Sequence, residues 1–172
     1  SIKTGHNKMR DKRFVAEHRG GPLTKDKHKQ LIIWACKCVE NVLPLITNKI
    51  DERLTNAIKI AKEWTKDNVS VGDARNASFD AIAVANELTN PIEIAVARSV
   101  GHAVATAHMA DHSLRAAEYA LKSIKLAGKS VDIERKFQDK HLSLDITELV
   151  LSARNNQNIK VKVTDTEKTT NR

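Results

Sequence analysis

Aromatic side chains are scarce in this sequence. Only six of its 172 residues are Phe, Trp or Tyr, whereas 41% are hydrophobic. The core must therefore consist mainly of Ala, Ile, Leu and Val, and such side chains suit closely packed helices better than a β-sandwich. The length is that of one domain with a substantial core. Composition alone thus predicts a single all-α domain.

Cysteine is also rare, and the two residues present, Cys36 and Cys38, lie close together. In a helix, side chains two positions apart point in different directions, so the pair is not expected to form a disulfide. Two cysteines also make no zinc site without further ligands at a suitable spacing. We expect free thiols, which indicate a reducing compartment and a cytoplasmic location.

Several functional signatures are absent from the sequence. It has no apolar run of the length of a membrane span and no signal-peptide core, so no membrane partner is expected. It also has no phosphate-binding loop, nucleophile elbow, HExxH pair or dinucleotide fingerprint. We therefore expect no catalytic residues, no cofactor and no metal centre.

Positive charge is in excess, at +8 overall, but it is concentrated at the two ends of the chain. Residues 1–29 hold nine Lys or Arg against three Asp or Glu, and residues 152–172 hold five against two. Residues 30–151 hold 15 against 16 and are nearly neutral. Basic ends can contact phosphates or an acidic protein, or can be solvated tails, but a neutral body lacks the continuous basic surface of a duplex-binding protein. Nucleic acid is therefore not the expected partner.

The charge distribution also indicates how the chain is organised. We predict a basic N-terminal arm at residues 1–13, an all-helical domain at 14–153 and a polar, basic tail at 154–172. Apolar and polar residues alternate at 159–163, a pattern typical of a short strand or of a segment that becomes ordered on binding.

Helix start and stop signals predict a bundle of about seven helices with short connections. Four starts carry a capping residue, namely Thr24, Asp51, Ser70 and Asn90. The corresponding helices should extend into the 40s, to about 66, to about 88 and to about 127, and two more should cover 132–140 and 144–153. Because a helix from 91 to 127 is too long for this domain, we expect a break near 109–111, with Asp111 capping the next helix.

The stretch GHAVATAHMADH, residues 101–112, holds three of the seven histidines. On a continuous helix, His108 and His112 lie about 40° apart, Arg115 and Tyr119 continue their stripe, and His102 points elsewhere. A metal site would need a third ligand from another helix, and the adjacent arginine would repel a cation. We favour imidazoles packed at helix contacts and bonded to a backbone carbonyl or an acid, and keep a metal site as the alternative.

Two further features concern the start of the chain and the core. The segment EHRGGPL, residues 17–23, specifies a tight turn before a helix and offers His18 and Arg19 as hydrogen-bonding groups, without the spacing of a phosphate loop. Trp34 and Trp64 each lie on the apolar stripe of a predicted helix. We expect both tryptophans to be core anchors.

Several of these strings occur together in a known family. FVAEHRGGPL, WACKCVENVLPL, GDARNA, GHAVATAHMADHSLRAAEYAL and ERKFQ, in this order and spacing, resemble the immunity-protein-five-like domain of bacterial polymorphic toxin systems. The resemblance covers about residues 14–151, and HRGGPL and GHAVATAH are its most specific strings. Two residues depart from the family pattern: Phe137 stands where the family has tryptophan, and Ser143 where it frequently has proline.

The resemblance implies an all-helical cytoplasmic protein that neutralises a cognate toxin by binding it, without chemistry of its own. The candidate binding residues are His18, Arg19, His102, His108, His112 and Arg115. The same side chains could instead be structural, with the turn of residues 17–23 docked on the histidine helix. Two other functions stay open: a small-ligand or metal-binding protein using the three clustered histidines, and a nucleic-acid accessory protein using the basic arms. The sequence specifies no oligomeric state.

Overall fold

The computed structural model describes residues 10–156, which fold into seven α-helices joined by short turns. Over this range the backbone forms no strand, and an isolated bridge pairs Ala16 with Leu23. The helices are α1 (Lys25–Val42), α2 (Glu52–Thr65), α3 (Val71–Glu87), α4 (Pro91–Ala105), α5 (His112–Leu126), α6 (Val131–Lys140) and α7 (Leu144–Asn156). The prediction of a single all-α domain is confirmed. The alternating segment 159–163 lies outside the described residues.

The four predicted caps are present, and they explain where these helices begin. The side chains of Thr24, Asp51 and Asn90 each accept a hydrogen bond from a backbone N–H in the first turn of α1, α2 and α4. At α3 the bond is reciprocal, because Ser70 accepts from the N–H of Asp73 while the carboxylate of Asp73 accepts from the N–H of Ser70. Each cap satisfies backbone donors that the helix itself leaves unpaired.

The predicted break between α4 and α5 is present, but it begins earlier than predicted. Helix α4 ends at Ala105, and residues 106–111 form a turn before α5 begins at His112. Asp111 occupies the cap position of α5, but its side chain accepts no capping hydrogen bond. The tight turn already provides carbonyl partners at its end, since the N–H of His112 bonds to Met109 and that of Ser113 to Ala110. The expected capping role of Asp111 is therefore wrong.

Helix α1 is the centre of the bundle. It contacts α2, α4, α5, α6 and α7, and the helices from α2 to α5 pack successively against one another. Alanine is the commonest residue in the buried core, which permits the close approach of helices that the composition predicted. No helix in the described range combines the length and apolar character of a membrane span.

The two tryptophans differ in burial. Trp34 is 1% exposed, donates its Nε1–H to the carbonyl of Gln138 at 2.8 Å and lies under the guanidinium of Arg154. This confirms Trp34 as a core anchor joining α1, α6 and α7. Trp64 is half-buried, with its ring 4.8 Å from that of His28. It packs against the core from its edge, so it contributes less buried surface than Trp34. It lies near the end of α2, where less of the bundle covers it.

The cysteines are free thiols, as predicted. Cys36 and Cys38 are both buried on α1, on sides of the helix that belong to different core clusters. Burial raises the pKa of Cys36 to about 12 and raises that of Cys38 as well, because the interior disfavours a thiolate. Both residues therefore behave as small apolar core side chains.

Candidate functional site

Three histidines and one tyrosine meet where α4 packs against α5. The ring centroid of His102 lies 5.0 Å from that of His112 and 5.2 Å from that of Tyr119, and the rings of His108 and His112 are 5.5 Å apart. Tyr119 is buried, and the three imidazoles are half-buried. We call these four residues the ring cluster. It is the largest group of rings in the described part of the chain and opens to the surface.

His102 belongs to this cluster, which corrects the expectation that it points elsewhere. That expectation measured angles along one continuous helix. The chain instead turns back at residues 106–111, so α4 and α5 run side by side in opposite directions. His102 on α4 then meets the side of α5 that carries His112 and Tyr119.

A hydrogen bond joins two of the imidazoles. The Nδ1 atoms of His102 and His112 are 2.8 Å apart. Such a bond needs one N–H and one lone pair, so only one of the two Nδ1 atoms carries a proton. A doubly protonated pair would place two N–H groups against each other. The histidines thus satisfy one another, rather than bonding to the carbonyl or acid from another segment that the sequence suggested.

Burial keeps this pair uncharged at neutral pH. It lowers the pKa of His102 to about 3, with further lowering by the neighbouring His112 and by arginines. It also lowers the pKa of His112 to about 4, although the nearby carboxylate of Asp111 opposes the change. Both values follow from the cost of placing a charge in a poorly solvated position. The ring cluster is therefore a neutral surface.

Positive side chains surround the neutral rings. The one carboxylate that acts on these histidines within residues 10–156 is that of Asp111, and its Oδ2 lies 3.6 Å from Nε of Arg10. Five arginines lie close enough to lower the pKa of one or more histidines in the cluster: Arg10, Arg19, Arg75, Arg98 and Arg115.

The turn of residues 17–23 packs at one end of the cluster. Gly20 has a φ of 83°, and a Cβ added to Gly21 would lie 2.1 Å from the carbonyl oxygen of Val15. Both positions therefore require glycine. This backbone places Arg19 at a cleft of about 70 Å³ that is also lined by His108.

His18 is separated from the other candidate residues. It is exposed and lines a different cleft, of about 350 Å³, together with His28 and Trp64. The structure thus brings together five of the six candidates and leaves His18 apart. The five are Arg19, His102, His108, His112 and Arg115.

Comparison with known proteins assigns the chain to a sequence family. The sequence model described as Imm-5 like putative immunity protein matches residues 21–145. The chain belongs to the Imm-5 like family. The match contains the whole ring cluster and the helices α1 to α6, and it confirms the resemblance seen in the sequence. No curated protein and no solved structure matches the chain.

One important residue of this Imm-5 like protein was missed by the sequence analysis. His28 on α1 is 3% exposed, and its Nε2 lies 2.6 Å from the carbonyl oxygen of Thr106, to which it donates a hydrogen bond. The bond fixes the start of the turn between α4 and α5 to the central helix. Local sequence offered no signal for it, since the two residues are 78 positions apart.

Three arginines near the cluster were missed as well, namely Arg10, Arg75 and Arg98. Arg98 precedes His102 by four positions on α4, and Arg75 lies on α3 within range of His108. The spacing of four could have revealed Arg98, because residues four apart share a helix face. Arg75 reaches the cluster only through the packing of α3 against α4.

The geometry of the ring cluster is compatible with recognition of a partner. Within residues 10–156, no group of three or more His, Cys, Asp or Glu side chains is arranged to hold a metal ion. The facing nitrogens of His102 and His112 are occupied by each other. The cluster presents three half-buried imidazoles packed with a buried tyrosine, and arginines lie around them. Arginine is one of the residue types enriched in protein interfaces.

Proposed function

We propose that this Imm-5 like protein neutralises a cognate toxin by binding it directly, in the cytoplasm and without catalysis. Family membership supports an immunity role, and the ring cluster is the observation that supports binding as its mechanism. The proposed contact residues are His18, Arg19, His102, His108, His112 and Arg115.

Preorganisation makes this surface suitable for tight binding. The rings of His102 and His112 are already fixed by their hydrogen bond, and Tyr119 is fixed by burial. A partner therefore orders few additional side chains, which lowers the entropic cost of association. Around the rings, exposed arginines provide directional donors for the partner's acceptors.

The test uses the product of the gene immediately upstream as the candidate toxin. The purified full-length chain should form a stable complex with that toxin, measured by calorimetry, and should abolish its toxicity on co-expression. Arg115→Ala should weaken the complex by about tenfold or more, as expected for an interface arginine. Lys37→Ala, at an exposed position on α1, is the matched control and should leave the affinity unchanged. Protection from the toxin without a detectable complex would contradict neutralisation by direct binding.

A further inference from the structure

Helices α3, α4 and α5 share a repeated arrangement of an arginine and a ring. On each helix an arginine precedes a ring by four residues, a spacing that places both side chains on one face. The pairs are Arg75 with Phe79 on α3, Arg98 with His102 on α4, and Arg115 with Tyr119 on α5. Because α4 packs between α3 and α5, the three pairs lie on adjacent helices. We call the side of these helices that carries Arg75, Arg98 and Arg115 the basic face.

None of the three arginines has a partner among the residues that the structure describes. Within residues 10–156, Arg75, Arg98 and Arg115 form no hydrogen bond and no ion pair, and Arg75 and Arg115 are exposed. All three lie within electrostatic range of the ring cluster, because each contributes to the lowered pKa of a histidine there. Their charges are therefore available to a molecule that covers this face.

Asp111 pairs with Arg10 beside the basic face, and three other acidic side chains nearby are engaged elsewhere or point away. Glu118 on α5 accepts from Arg154, and Glu87 at the end of α3 binds Arg53. Asp80 follows Phe79 directly, but one residue rotates a helix by about 100°. Ile82 lies next to Gly101 and therefore marks the side of α3 that faces α4. Asp80 is two residues before Ile82, about 200° around the helix, and so lies on the side of α3 turned away from α4.

From this distribution we infer that the basic face is the docking site for a carboxylate-rich surface of the toxin. The inference rests on the proposed function and adds the chemistry of the contacting surface. Carboxylates of the partner would pair with Arg75, Arg98 and Arg115, since a guanidinium binds a carboxylate through two parallel N–H donors. Phe79, which is 62% exposed, would contact an apolar side chain within the same patch.

The same residues fit an acidic protein better than a nucleic acid. Single strands bind through exposed ring faces on which bases stack. Here Tyr119 is 6% exposed and the imidazoles are half-buried, so Phe79 is the exposed ring of the face. The charged groups also form a compact patch across three helices, whereas a nucleic acid backbone needs a track of positive charge.

Charge reversal tests the inference with the full-length chain and the same candidate toxin. Arg98→Glu and Arg115→Glu should each weaken the complex by about tenfold or more, and the association rate of the unchanged protein should fall as salt is added. Lys37→Glu, an equal reversal on exposed α1, is the control and should change the affinity less than about twofold. If Arg98→Glu unfolds the protein because Arg98 is half-buried, Arg98→Gln replaces it. This variant should melt at the temperature of the unchanged protein and still bind the toxin more weakly.

The outcomes separate the two proposals. A complex that both reversals leave intact would overturn the basic face as the docking site while the proposed function stands. Absence of any complex with the unchanged protein would overturn both.

A labelled hexaglutamate peptide and a single-stranded oligonucleotide of equal charge provide a second probe. The peptide should lose affinity in Arg115→Glu but not in Lys37→Glu, whereas an oligonucleotide that binds more tightly than the peptide and is lost in Arg115→Glu would assign the face to nucleic acid.

Discussion

At the scale of single residues, the pair of His102 and His112 shows how burial changes the chemistry of a side chain. An exposed histidine has a pKa of about 6.5 and is partly charged in the cell. Here burial holds the pKa of His102 at about 3 and that of His112 at about 4, while their Nδ1 atoms share one proton. A neutral pair can therefore lie among arginines that would repel a charged one.

This pair predicts a pH dependence of stability. Both folded-state pKa values lie below the unfolded value of about 6.5, so the unfolded chain binds protons more readily below that pH. The contribution of these two histidines to the free energy of unfolding should be constant well above pH 6.5. It should fall as the pH decreases from 6.5 towards 4. The groups facing the pair are Asp111, which opposes the effect, and His108, Arg10, Arg98 and Arg115, which increase it.

Urea denaturation at pH 7.5, 6.5 and 5.5 measures this dependence above the range in which most carboxylates titrate. His102→Gln should flatten the decrease between pH 6.5 and 5.5, because the group that resists protonation is gone. Lys37→Gln, at an exposed position on α1, is the control and should keep the slope of the unchanged protein. An equal slope in all three proteins would show that the buried pair does not govern acid stability.

The tryptophans give a second prediction at this scale. Trp34→Ala should lower the free energy of unfolding by about 3–5 kcal/mol, because it leaves a cavity in the core and removes the bond to Gln138. Trp64→Ala should cost about 1–3 kcal/mol, since that ring is half-buried. Chemical denaturation measures both values. Similar losses for the two variants would contradict the difference in burial.

At the scale of elements, the helix starts differ in how their backbone donors are satisfied. Ser70 and Asp73 bond reciprocally at α3, whereas α5 begins directly from a tight turn without a side-chain cap. Ser70→Ala should therefore cost about 1 kcal/mol of stability. Asp111→Ala should cost less, because it removes only the surface ion pair with Arg10.

Thermal and urea unfolding of the two alanine variants compares these starts. Thr24→Ala is a useful reference, since its hydroxyl caps α1 with one bond. An Asp111→Ala variant as destabilised as Ser70→Ala would indicate that the carboxylate of Asp111 caps α5 in solution.

At the scale of the whole molecule, the core is contained in the middle of the chain. The buried apolar clusters extend from Phe14 to Ala153. We predict that a chain of residues 10–156 melts cooperatively within a few degrees of the full-length protein, as the division into arms and domain requires. A chain of residues 24–156 is the matched comparison, because it loses the buried Phe14 and Leu23 and should melt clearly lower. Loss of the transition in residues 10–156 would make an arm part of the fold.

The sequence by itself determined the helices and their caps. Thr24, Ser70 and Asn90 act within three residues along the chain, and apolar spacing repeats within a single helix, so both signals are local. The histidines and the strings around them also identified the family. The place of the α4–α5 break was less well predicted, because a turn that satisfies its own backbone needs no capping residue.

Only the tertiary structure decided which residues form the site. His102 joins His112 because α4 and α5 are antiparallel, His28 reaches Thr106 across 78 positions, and Arg75 approaches through the packing of α3. The positions of the charged side chains were likewise decided by the tertiary structure. Residues 30–151 are nearly neutral as a sum, yet packing places Arg75, Arg98 and Arg115 near one cluster. Glu87 and Glu118 pair with other arginines. Net charge is fixed by composition, whereas electrostatic interactions depend on distance, and distances between helices are set by how they pack.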